Sequence, residues 1–180
     1  MKKRSLSLSI AVLLIFGTIA KAEDAQSLFL QMPSAKLQNV DRAGIITVND
    51  AANNYLKLKI SENFSGEFKI LSKKKDEIIA GFSVYSCDES ALEIWSVKKG
   101  IWREISASAV PTLGAKDVTE MLKISPATIE KLDAETSIPY FYEFSPGSAE
   151  MKLVMRKQQN CDIAGTVYDY KFNGKKFVRK

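Results

Sequence analysis

The chain has 180 residues, with 26 Lys and Arg against 21 Asp and Glu and no histidine. The missing histidine removes the commonest general base and metal ligand. Four of the basic residues, Lys2, Lys3, Arg4 and Lys21, fall in the first 22; the remainder carries 22 basic and 21 acidic side chains, without the basic footprint of a nucleic-acid binder.

Residues 1–22 read as a secretory signal peptide. Lys2-Lys3-Arg4 is a basic opening, the apolar region runs from about Leu6 to Ala20, and Ala20-Lys21-Ala22 offers small residues at the −3 and −1 positions of a cleavage site. Ser7, Ser9, Gly17 and Thr18 interrupt the apolar run, which falls short of the ~20 residues of a spanning helix. The expected product begins near Glu23, is periplasmic or secreted, and has no membrane span after cleavage.

In the mature chain, Ala25, Leu28, Phe29 and Met32 recur at helical spacing, which predicts a helix over 24–32 closed by Pro33. A short helix is expected from Asn49 or Asp50 to Asn54. From Tyr55 the period changes to two, with Leu56, Leu58 and Ile60 alternating with Tyr55, Lys57 and Lys59. Further strands are expected at 67–71 and 77–87, then a hairpin of 91–97 and 101–105 across Lys98-Lys99-Gly100. Helices at 116–123 and 125–132 follow, the second opened by Ser125-Pro126. Strands at 138–144 and 150–156 are joined by Ser145-Pro146-Gly147-Ser148, and a last hairpin pairs 165–172 with 175–178 across Asn173-Gly174. The order predicts an α+β protein, with short helices packed on antiparallel β-meanders in two similar halves, 23–106 and 107–180. Cys87-Asp88 and Cys161-Asp162, each before a hairpin, mark a weak internal repeat.

Cys87 and Cys161 are the two cysteines. In an exported protein an even count favours a disulfide, here worth about 3–4 kcal/mol by loop closure. The alternative is two buried thiols. Without histidine a catalytic cysteine lacks its usual base.

No G-x-S-x-G elbow, phosphate-cradling glycine loop or EF-hand series is present. No cofactor, metal site or catalytic residue is expected, although paired carboxylates keep an enzyme open as a third reading. Strand alternation puts Trp95 on the face away from the helices, and sets Tyr85 and Phe141 beside Ser83 and Glu143. Trp and Tyr on a polar sheet face are binding anchors, so Tyr85, Trp95 and Phe141 form the candidate binding face; cross-strand pairs or a second small core would use the same residues.

Phe29-Leu30-Gln31-Met32-Pro33, Asp41-Arg42, Tyr55-Leu56-Lys57-Leu58, the strand entering Cys87 and the Ile94-Trp95…Trp102 hairpin together resemble a family of exported proteins of unknown function common in Bacteroidetes. The resemblance covers mainly residues 25–105 and carries no catalytic or binding residues with it. The twice-repeated helices-then-meander plan also looks like the tandem architecture of the beta-lactamase inhibitor protein, a likeness of fold plan alone. The expected function is a non-enzymatic binding module for another envelope or extracellular protein or a surface polymer. The alternative is a carrier of lipid or another hydrophobic ligand, in a cavity lined by Phe82, Met151, Leu153 and Met155.

Overall fold

A computed structural model describes residues 24–124, 139–157 and 161–180. The expected signal peptide and the helix expected at 125–132 lie outside the described residues. Among them the chain is mainly β: two antiparallel sheets with a few short helices.

Helix α1, Ala25–Gln31, is opened by Asp24, whose carboxylate accepts from the Ser27 backbone N–H at 2.7 Å while Ser27 Oγ accepts from the Asp24 N–H. Its last carbonyls, of Phe29, Leu30 and Met32, accept from the Arg42 guanidinium, which satisfies groups a helix end leaves without partners. A single 3₁₀ turn follows at Ala35–Leu37. The strands β1 (Ile46–Asp50), β2 (Tyr55–Lys59), β3 (Ser65–Lys74), β4 (Glu77–Tyr85), β5 (Ser90–Lys98) and β6 (Ile101–Glu104) then form one six-stranded meander, sheet A. The short helix expected at 49–54 is instead the end of β1 and a turn, in which Asp50 caps the Asn53 N–H and Asn54 takes a φ of 51°. The β5–β6 turn rests on positive φ at Lys99 and Gly100, the hairpin geometry that Gly permits.

After α2 (Ser106–Ala109) and α3 (Ala115–Ile124) comes sheet B: β7 (Tyr140–Phe144), β8 (Glu150–Arg156), β9 (Ile163–Phe172) and β10 (Phe177–Arg179), in the order β10-β9-β8-β7. The β9–β10 connection spans residues 173–176 rather than the expected two, because the Asn173 side chain accepts from the backbone N–H of both Lys175 and Lys176 and rounds out a longer loop. Each meander follows a helical stretch, but six strands face four.

Sheet A is covered on both sides. On one face Leu28, Phe29 and Met32 of α1 pack on Leu56, Phe68, Phe82 and Trp95. On the other, β7 crosses β3, β4 and β5, and Phe144, Met151, Leu153 and Met155 close the second core with Ile79 and Ile94. Trp95 therefore lies on the α1 face, opposite to the expected side: the α1 stripe docks on the row that contains it. The contact between sheets is close at Gly81, where a Cβ would overlap the Phe144 ring. Gly81→Ala is expected to cost about 1–3 kcal/mol in chemical denaturation, as overpacking of a filled core does.

Candidate functional site

The residues best placed for function gather at one end of sheet A, where the β2–β3 and β4–β5 turns meet. In the first turn the Ile60 and Ser61 amides donate to the Phe64 carbonyl, at 2.9 and 3.2 Å. In the second, Ser86 N–H donates to the Glu89 carbonyl at 2.8 Å, and Ser86 Oγ accepts from the amides of Asp88 and Glu89. Between them, on the α1 side of the sheet, opens a cleft of ≈ 240 Å³ lined by Lys36, Ile60, Phe64, Val84, Glu89, Ser90 and Ala91. Val84 and Ala91 are cross-strand partners, so the apolar surface is fixed by sheet register. Neither the Lys36 ammonium nor the Glu89 carboxylate has a partner among the described residues.

The disulfide holds this end. Cys87, in the β4–β5 turn, is bonded to Cys161, 74 positions on in sequence, with Cα atoms 5.1 Å apart. Cys161 has a φ of 60°, and its carbonyl accepts from the Arg156 guanidinium at 3.3 Å. The bond thus ties sheet A to the β8–β9 connection of sheet B.

Of the three expected aromatic anchors, two come together and one does not. Tyr85 and Phe141 stack with ring centroids 4.4 Å apart, and the Arg156 guanidinium lies 4.4 Å from the Phe141 centroid and 5.1 Å from that of Tyr85. This is a seam between the sheets: Phe141 is buried, and burial, reinforced by Glu67 and Glu143, pushes the Tyr85 hydroxyl up to about 12. Trp95 sits on the opposite face, 8 % exposed, edge-on to Trp102 at 6.0 Å. Its indole N–H donates to Glu93 at 3.0 Å, and the same carboxylate accepts from Ser34, which anchors the 3₁₀ turn that carries Lys36. Trp95 therefore supports the cleft from within the core. The three residues do not share an open face.

Other polar groups are spent on structure. Asp117, held below the usual carboxylate range first by the Gly114 amide and also by Arg179, closes the start of α3 against β10. Glu67 is 1 % exposed and joins the two sheets: Tyr55 Oη donates to one of its oxygens at 2.8 Å and the Phe144 N–H to the other at 2.7 Å. Among the described residues no group of three or more His, Cys, Asp or Glu is placed to hold a metal ion.

The cleft was not among the candidate sites read from the sequence. Its one sequence signal is Phe64, a large apolar residue inside an otherwise polar turn. Phe82, Met151, Leu153 and Met155, the residues expected to line a ligand cavity, divide between the two cores on opposite faces of sheet A. No helix among the described residues is long and apolar enough to cross a membrane. Comparison with family models, curated proteins and solved structures returns no match for this chain.

Proposed function

We propose that this protein is an exported, non-catalytic binding module, periplasmic or secreted, and that it engages an envelope or extracellular protein through the disulfide-held end of sheet A. The observation that carries this reading is the open apolar cleft over Ile60, Phe64, Val84 and Ala91, flanked by Lys36 and Glu89, whose charged groups have no partner among the described residues. A rigid apolar recess with a few convergent polar groups is the usual form of a recognition site, and its volume suits one large apolar side chain. The bond between Cys87 and Cys161 fits an oxidising compartment. The kinship with exported Bacteroidetes proteins and the two-repeat plan belong to the same proposal.

A carrier of lipid is the weaker reading, because the space between the sheets is filled by Phe144, Met151, Leu153 and Met155, all buried. The test is affinity capture from envelope extracts with the mature, oxidised protein and with Ala91→Arg, which fills the cleft with a charged chain. Capture of a discrete protein is expected with the wild type and lost with Ala91→Arg at unchanged melting temperature. Equal capture by both would place recognition elsewhere, and a co-purifying lipid in native mass spectrometry would favour the carrier.

A further inference from the structure

β7 is the terminal strand of sheet B, so every second backbone N–H and C=O along it has no strand partner. Two of these groups are taken by side chains of sheet A: the Phe144 N–H by Glu67, and the Tyr142 carbonyl by the Ser83 hydroxyl. A third side chain of the same face, Lys69, 3 % exposed, donates to the carbonyls of Asn53 and Pro146, just past β7. The sheets are thus joined by polar side chains that reach from one sheet to the edge of the other.

Glu67 is the weak point of this junction. Its surroundings from each packed element are Tyr55 and Lys57 of β2, Lys69 of β3, Tyr85 of β4 and Glu143 of β7, with Lys152 of β8 opposite Glu143. The two charges of favourable sign are poorly placed: the Lys69 ammonium is committed to two carbonyls, and Lys57 is exposed at the rim. Glu143 adds a like charge. Ionised, Glu67 is a buried anion with hydrogen bonds but no bonded cation among the described residues, a costly arrangement. Protonated, it keeps one oxygen as acceptor for the Phe144 N–H and can donate its own proton to Tyr55 Oη, whose hydroxyl accepts as readily as it donates.

We propose that the junction between the sheets is a proton-responsive clamp: with Glu67 neutral, the cost of a buried anion is gone and β7 is held against sheet A more stably as a whole, although each hydrogen bond that Glu67 accepts is weaker than it is to the carboxylate. Burial pushes this carboxyl up to about 7, against the hydrogen bonds from Phe144 and Tyr55 that oppose the rise. The folded state therefore retains a proton that the unfolded chain releases near 4.5. This contribution to stability is complete below 4.5, declines as pH rises between the two values, and is gone above 7. The sign is opposite to that of ordinary acid denaturation.

The experiment uses the mature, oxidised protein. Between pH 8.5 and 5.5 the wild-type unfolding constant is expected to fall about thirty-fold through this group, with protection of the Phe144 amide from exchange rising in parallel. Glu67→Gln, which keeps an acceptor without a titrating proton, should lack both effects. The side-chain carboxyl carbon of Glu67, followed by NMR in the wild type, should titrate near 7 and decides the matter even if the variant does not fold. A midpoint near 4.5, or the wild-type pH dependence persisting in Glu67→Gln, would overturn the clamp.

Discussion

Replacing Cys87 and Cys161 together by alanine is expected to lower the unfolding free energy by about 3–4 kcal/mol, or the melting temperature by ~10 °C for a chain of this size. The bond closes a loop of 74 positions, and its removal restores that freedom to the unfolded chain. It also releases the β4–β5 turn, and with it Glu89 and Ser90 at the cleft, from its attachment to sheet B. Urea titration of the oxidised wild type and of the double variant measures the first effect. A loss below about 1 kcal/mol would mean that the seam of Tyr85, Phe141 and Arg156 holds the two sheets without help.

Phe144→Ala is expected to cost about 3–5 kcal/mol, the range for deleting a fully buried aromatic ring. The ring lies over Gly81 and fills the space between sheets, so its loss leaves a cavity bounded by backbone that has little room to collapse. The pair offers an internal control. In the Phe144→Ala background, Gly81→Ala should be neutral or stabilising, because its methyl enters the vacated space; additive costs would show that the two residues do not contact.

Most of the strands were legible because period-two alternation survives in the sequence, as at Tyr55–Lys59 and Glu150–Arg156. β1 was not: it is an edge strand with neither face fully buried, so Ile46–Asp50 carries no alternation to detect. Alternation also leaves open which face meets which layer. Sheet A is covered on both sides, and that is why Trp95 was set on the wrong face. Nothing local marks Glu67 and Lys69 as buried: both lie under β7, whose position depends on contacts more than 70 positions away. Tyr85 and Phe141 drew notice as aromatics with polar neighbours along their strands, but their meeting with each other and with Arg156 depends on sheet packing that no local pattern encodes. The cleft draws on the 3₁₀ turn, two hairpin turns and a cross-strand pair, and only Phe64 hints at it locally.

The central claim is that the cleft end of sheet A is the surface through which this protein recognises a partner. Site-specific photocrosslinking in cells tests it most directly, with a photoreactive phenylalanine analogue at Phe64 and, as a control, at Val178 on the exposed face of β10. The account predicts a discrete protein adduct from position 64 that disappears when Ala91→Arg is added, and none from position 178. No adduct from position 64, or the same adduct from both positions, would contradict it.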